Sequence, residues 1–196
     1  MRLLLLDNHD SFTWNLVELL RFPRKVNVNI LTPEQLKICD LVQYDKIIFS
    51  PGPGLPQEQP AMFDILRTVE HLWYENGKKI RVFGVCLGFQ AIAMYFGGTL
   101  FNLRAVVHGQ PRKLKLLQPH HPLFTEIPDE CEVGLYHSWA VEPATLPGCL
   151  ETLAITTDGT IMALSHQTLP ICGVQFHPES IMTPLGKQMI QNWLVS

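Results

Sequence analysis

The sequence predicts an α/β fold: a central, mostly parallel sheet with helices on both faces, followed by a β-rich second half. Three observations carry this. Short apolar runs alternate with helix-period patterns through the first hundred residues, and strand–helix–strand order implies parallel strands covered on both sides. At Leu100 the texture changes to short β-rich pieces. The length of 196 residues, with 46% hydrophobic residues, suits one core, since single cores keep growing to roughly 250 residues. Residues 1–196 are therefore read as one domain.

The elements follow in order. Residues 3–6, four leucines, read as a buried strand ended by Asp7, and residues 11–20 as a helix with Asp10 as its N-cap. Residues 26–31 form a second strand, with a weaker helical stretch after Thr32-Pro33. Lys46–Phe49 is the third, ended by Ser50-Pro51-Gly52-Pro53-Gly54. Pro60 opens the clearest helix in its first turn. There Met62, Ile65, Leu66, Val69, Leu72 and Trp73 recur at the spacing of one buried face, and Asn76-Gly77 ends it. Residues 80–85 are a fourth strand running into Cys86, and residues 87–96 a helix closed by Gly97-Gly98.

Beyond Leu100, residues 112–117 and 131–136 read as strands, the first with Arg112, Lys113 and Lys115 on its outer face. Asp158-Gly159 signals a hairpin between residues 153–156 and 161–164. A last helix from Thr183-Pro184 buries Leu185, Met189, Ile190, Trp193 and Leu194. His120-His121, flanked by prolines, read as exposed loop residues.

Composition excludes several classes. The apolar content and a net charge of −3 exclude intrinsic disorder. With 15 Lys plus Arg against 18 Asp plus Glu there is no basic excess to drive nucleic-acid binding. No apolar run approaches the ~20 residues of a membrane span, and the opening run is shorter than the ~7–15 apolar residues of a secretory signal. Five dispersed cysteines without a C-x-x-C pair argue against a disulfide framework or a structural zinc site. A reducing cytoplasm is the expected compartment.

Three constellations bear on chemistry. Gly84-Val85-Cys86-Leu87-Gly88 stands where a strand turns into a helix. Small residues two before and two after a nucleophile permit the sharp turn of a nucleophile elbow, and a helix N-terminus favours a thiolate. The plainer reading makes Cys86 a small buried hydrophobe beside two loop glycines. In Gln175-Phe176-His177-Pro178-Glu179-Ser180, Pro178 biases His177 to extended backbone, where residues i and i+2 share a side. Glu179 can then accept the His177 ring N–H and fix its tautomer, as the acid of a triad does; the alternative is a surface pair. In Pro51-Gly52-Pro53-Gly54 the glycines allow close backbone approach, and the absence of a Lys-Ser/Thr pair argues against a phosphate loop. Its N–H groups and that of Leu87 can instead meet an oxyanion; the alternative is a rigid turn. Tyr136-His137-Ser138-Trp139 clusters polar and aromatic groups at a strand end, or is simple packing around a satisfied core histidine.

Together these residues resemble the class I, triad-type glutamine amidotransferases, and within them the small subunits of anthranilate synthase and aminodeoxychorismate synthase. The resemblance spans the chain, from Asp7-Asn8-His9-Asp10-Ser11-Phe12 through the PGPG loop, the elbow, Val107-His108-Gly109 and Tyr136-His137-Ser138 to the His177 motif. It implies a flavodoxin-like fold and hydrolysis of glutamine to glutamate and ammonia through a Cys86 thioester. His177 would be base and acid, and Glu179 would orient it. Gly54 and Leu87 would form the oxyanion hole. Gly52, Pro53, Gly54, Leu87 and Gln90, with the backbone of Ser138 and Trp139, would hold glutamine. It further implies no cofactor in this chain, and a separate chorismate-binding synthase subunit that carries Mg²⁺, receives the ammonia and makes anthranilate or aminodeoxychorismate. His9 and Phe89 depart from the commoner Tyr and His of this branch. A free-standing γ-glutamyl hydrolase and a catalytically silent scaffold subunit are the competing expectations.

Overall fold

The computed structural model describes residues 1–21 and 26–196, and at residues 104–107 the backbone alone. In chain order the elements are β1 (Arg2–Leu6), α1 (Thr13–Leu20), β2 (Asn27–Leu31), β3 (Lys46–Phe49), α2 (Pro60–Asn76), β4 (Arg81–Val85), α3 (Leu87–Tyr95), β5 (Leu100–Leu116), β6 (Glu132–Val141), β7 (Leu150–Thr156), β8 (Ile161–His166), β9 (Ile171–Val174) and α4 (Gly186–Val195). The strands form one sheet in the order β2-β1-β3-β4-β9-β8-β7-β5-β6. From β2 to β9 all pairings are parallel, and from β9 to β6 all are antiparallel. The β-rich second half thus extends the same sheet.

β1 shows why the centre is buried on both faces. Leu3 and Leu5 pack on one side with Leu16 of α1 and Ile190 of α4. Leu4 and Leu6 pack on the other with Ile65 of α2 and Ile92 of α3, because successive strand side chains point to opposite faces. Each of the four leucines is fully buried, an arrangement that stabilises by about 1.5–3 kcal/mol per side chain. On β5, Leu114 and Leu116 point inward while Lys113 and Lys115 stay exposed.

Several boundaries differ from the sequence expectation. α1 starts at Thr13, because Asp10 Oδ1 accepts from Phe12 N at 2.7 Å, a side-chain turn that competes with the helix. Asp10 therefore shapes the approach to α1 and does not cap it. The stretch after Thr32-Pro33 is a turn followed by a 3₁₀ segment, Ile38–Gln43; it is too short to sustain an α-helix on its own. α4 begins at Gly186, since the Thr183 hydroxyl donates to His177 O and accepts from Gly134 N at 2.9 Å, away from the helix. β5 and β6 are longer than expected and pair across irregularities between Asn102 and Val107 and between His108 and Gln110; Gly109 has φ 63° there. Residues 136–139 consequently lie inside β6, not at a strand end. His120 is exposed as expected, but His121 is half-buried, and its Nδ1 accepts from Leu123 N at 3.2 Å. Among the described residues no helix is long and apolar enough to cross a membrane.

Candidate active site

The β4–α3 junction is a strained elbow. Cys86 has φ 50° and ψ −97°, a region that costs a non-glycine residue on the order of 1–3 kcal/mol. Both flanking glycines are required. A Cβ on Gly84 would lie 2.5 Å from Gly88 O, and one on Gly88 would lie 2.5 Å from Phe49 Cβ. Cys86 N donates to Val174 O at 2.9 Å, tying the elbow to β9. Since Val85 registers with Val174, Cys86 and Gln175 leave the sheet side by side.

The segment after β9 is pinned as firmly. His177 N donates to Gly134 O at 3.1 Å, and Thr183 Oγ1 donates to His177 O at 2.6 Å. Nδ1 of His177 lies 2.7 Å from Glu179 Oε1, with side-chain exposures of 3% and 0%. The rings of Phe12 and Tyr136 meet the imidazole edge-on at 5.4 and 4.9 Å. Burial pushes the His177 pKa down, but the adjacent Cys86 and then Glu179 outweigh it and push it well above the usual imidazole range. No hydrogen bond of full geometry closes on His177 Nε2 among the described residues. A carboxylate that can only accept places the ring hydrogen on Nδ1 and leaves Nε2 to act on the sulfur.

A cleft of about 150 Å³ opens beside the sulfur. Of the residues singled out in the sequence, Gly52, Gly54, Leu87, Gln90, Ser138 and Trp139 line it with Cys86; Pro53 is exposed and does not. The Gly52 loop rests on the first turn of α3: a Cβ at Gly52 would lie 2.7 Å from Leu87 Cδ2 and 2.8 Å from Asn8 Cβ. Gly54 has φ 76°, and a Cβ there would collide with the Glu58 carboxylate, which accepts from Leu55 N at 2.9 Å. The Leu87 N–H, in the first turn of α3, has no intrahelical acceptor. The helix N-terminus there favours negative charge.

Gln175 escaped the sequence reading, and His137 stood there between a polar cluster and a satisfied core histidine. Gln175 Nε2 donates to Cys86 Sγ at 3.5 Å. Residues 177–180 form a turn closed by Ser180 N donating to His177 O at 3.2 Å, so the turn, and not the expected extended alternation, brings Glu179 to His177, while Gln175 reaches the sulfur because β9 registers beside β4. His137 Nδ1 lies 2.8 Å from Trp139 O, so Nδ1 is the donor and Nε2 a bare acceptor. Nε2 is buried without a partner among the described residues, and His137 lines the cleft. Its pKa is lowered by burial, with the charge of His177 acting in the same direction against the Trp139 carbonyl. His137 is therefore a neutral core histidine that is not satisfied.

Gln90 links both walls. Its Nε2 donates to Trp139 O at 2.8 Å and to Gln175 Oε1 at 3.0 Å, so only its carbonyl oxygen is left for a ligand. The two departures stay clear of the cleft. His9 forms an exposed pair with Glu34 at 3.4 Å, and Phe89 is fully buried in the core. The Val107 side chain of the Val107-His108-Gly109 motif lies outside the described residues. A larger cavity of about 250 Å³ opens between Arg81, His121, Glu151 and Trp193, and neither Cys86, His177, Glu179 nor any residue of the cleft lines it.

A buried sulfur on a helix N-terminus, an imidazole held by a carboxylate and a cleft lined by the Gly52–Gly54 loop and the first turn of α3 can together perform acyl transfer from an amide. A family model described as class-I glutamine amidotransferase matches residues 4–196. A Haemophilus influenzae protein provisionally named anthranilate synthase component II is 45% identical over 196 residues, covering 99% of this chain and 96% of its own length. The aminodeoxychorismate/anthranilate synthase component 2 of Bacillus subtilis is 38% identical over 197 residues, covering 98% of this chain and 95% of the relative. A Thermoplasma acidophilum crystal structure, provisionally described as that of a GMP synthase subunit, superposes with a TM-score of 0.85 at 21% identity, covering 100% of this chain and 92% of that one. At that identity the likeness concerns the fold.

Proposed function

The chain belongs to the class-I glutamine amidotransferases, and from that premise we propose that it hydrolyses glutamine and hands the ammonia to a chorismate-binding synthase subunit. The observation that carries the reading is the buried 2.7 Å His177–Glu179 pair set beside a sulfur on a strained elbow. His177 takes the Cys86 proton through Nε2, and the thiolate attacks the side-chain amide carbon. The N–H groups of Gly54 and Leu87 receive the developing oxyanion. The intermediate collapses as His177 returns the proton to the departing nitrogen, releasing ammonia and leaving a γ-glutamyl thioester on Cys86. Water, deprotonated by His177, then hydrolyses the thioester to glutamate and frees the thiol. Glu179 keeps the ring hydrogen on Nδ1 throughout. Gln90 offers its carbonyl to the α-ammonium group of glutamine, and the Ser138–Trp139 backbone meets the α-carboxylate.

These steps draw on this chain's own side chains, without a cofactor. Mg²⁺ and chorismate belong to the synthase subunit. The relatives' names support a partner of that kind, and the Bacillus subtilis name joins both chorismate products. We assign the product as anthranilate or 4-amino-4-deoxychorismate, according to the synthase that co-purifies. Ammonia released into neutral water is mostly protonated and loses its nucleophilic lone pair, which favours direct transfer within the complex. The test is Cys86→Ala in the assembled complex. Glutamine-dependent synthesis should fall to background while synthesis from added ammonium salts persists. Loss of both activities would overturn the division of labour. Strong hydrolysis of γ-glutamyl peptides by the chain alone would favour a free-standing hydrolase.

A further inference from the structure

We propose that Gln175 is a positioning residue for the nucleophile: its amide N–H holds the Cys86 sulfur and stabilises the anionic form. The inference rests on the reading of Cys86 as nucleophile and deepens it. Gln175 is fully buried, where side-chain polar atoms need partners. Its orientation follows from a chain of fixed donors and acceptors. Trp139 O can only accept, so Gln90 presents its nitrogen on that side. The same nitrogen donates to Gln175 at 3.0 Å, so Gln175 presents oxygen to Gln90. The Gln175 nitrogen must then face Cys86 Sγ, at 3.5 Å.

The mounting is rigid on both sides. Gln175 N donates to Met162 O at 2.8 Å on β8, and Cys86 N donates to Val174 O at 2.9 Å. A neutral thiol is a weak acceptor, whereas a thiolate is a strong one, so the bond favours the charged sulfur. His177, with Glu179 behind it, supplies charge to the sulfur from one side, and Gln175 supplies a fixed dipole without exchanging a proton. His137 and Tyr136, across the cleft, are the other titratable groups that line this space among the described residues. Because Gln90 orients Gln175, a ligand engaging the free Gln90 carbonyl sits one side chain away from the nucleophile.

The experiment follows alkylation of Cys86 by iodoacetamide across a pH series, read by mass spectrometry of the Cys86 peptide so that exposed Cys39 is resolved separately. Gln175→Leu removes the donor at similar volume, and Gln175→Glu places an acceptor against the sulfur. The pH of half-maximal alkylation should rise by about one unit in Gln175→Leu, with about tenfold slower labelling at neutral pH, and further in Gln175→Glu. If Gln175→Leu does not fold, Gln90→Leu frees the Gln175 amide to turn and should shift the profile the same way by less. An unchanged profile in a folded variant overturns the inference and leaves Cys86 as nucleophile. Failure of the unsubstituted chain to label at Cys86 would overturn the nucleophile and this role together.

Discussion

Glu179→Gln removes one charge while keeping the shape, so it isolates what the carboxylate does for His177. The two groups meet at 2.7 Å, out of solvent. With Glu at 179 the ring hydrogen must sit on Nδ1. Gln can turn its NH₂ group toward Nδ1, which drives the hydrogen to Nε2 and leaves nothing there to take the thiol proton. A hydrogen bond to a charged group contributes about 1.5–3 kcal/mol. At about 1.4 kcal/mol per tenfold in rate, losing it from the charged-imidazole transition state costs about 10- to 150-fold in kcat/KM. That is smaller than the roughly 10⁴-fold loss when a serine triad loses its carboxylate, because a thiol is the better intrinsic nucleophile.

The same substitution has a signed effect on stability. His177 is pushed down by burial and pushed up by Cys86 and then Glu179, and the upward influences win. A raised native pKa contributes stability that is fully present below the unfolded value, about 6.5 for imidazole. It is lost as pH rises through the native value. Glu179→Gln lowers that native value, so the variant should lose stability at and below neutral pH and lose least at alkaline pH. Glutamine hydrolysis by the assembled complex, measured against pH, and thermal unfolding at neutral and alkaline pH check both statements. Activity within about twofold of the unsubstituted chain, with an unshifted unfolding profile, would refute the reasoning.

Two further outcomes follow from packing and from the cleft. Gly84→Ala should destabilise the chain, because the new Cβ would meet backbone atoms of Gly88 and Phe89 at no more than 2.6 Å. Overpacking of this kind costs about 1–3 kcal/mol, and each kcal/mol lowers Tm by about 2–4 °C in a domain of this size; an unmoved Tm in a melting experiment contradicts it. His137→Phe should raise KM for glutamine while leaving Tm level or higher, since it removes an unpaired buried acceptor and Trp139 O keeps its Gln90 donor. A fall in Tm without change in KM would make His137 a packing residue.

What the sequence disclosed was local. β3 and the body of α2 read correctly because a strand of period 2 and a helix of period 3.6 each leave their mark within a few turns. α1 read two residues early because Asp10 offers the backbone a competing bond. β5 and β6 were cut short because their irregular pairing near His108 and Gly109 breaks the alternation that announces a strand. The elbow was legible from Gly84, Cys86 and Gly88, whose spacing has a steric cause. The His177–Glu179 pair was legible from its spacing, although a turn closed by Ser180 N on His177 O, and not extended backbone, brings the two together. Gln175 was not legible, although it sits in the same motif, because its role depends on β9 lying beside β4 and on which way an amide turns. Only Gln90 and Trp139, both remote along the chain, decide that.

The order of strands is the deeper non-local element, and it makes the site possible. β9 lies beside β4 although about ninety residues separate them, and Gly173 registers with Gly84. A Cβ on Gly173 would come within 2.7 Å of Gly84 O, so the two strands approach closely where they share the elbow. Had β9 been added beyond β2 at the other edge, the same motifs would have formed and sulfur and imidazole would stand several strands apart, at about 4.8 Å for each strand crossed. The antiparallel half makes the placement work. β8 pairs with β9 on its free side, and β6, at the far end of the sheet, returns to pin His177 N through Gly134 O. The parallel half thus supplies the nucleophile and the antiparallel half aims the imidazole. A change that loosens β6, far from Cys86 in sequence, should therefore reduce turnover without altering the elbow.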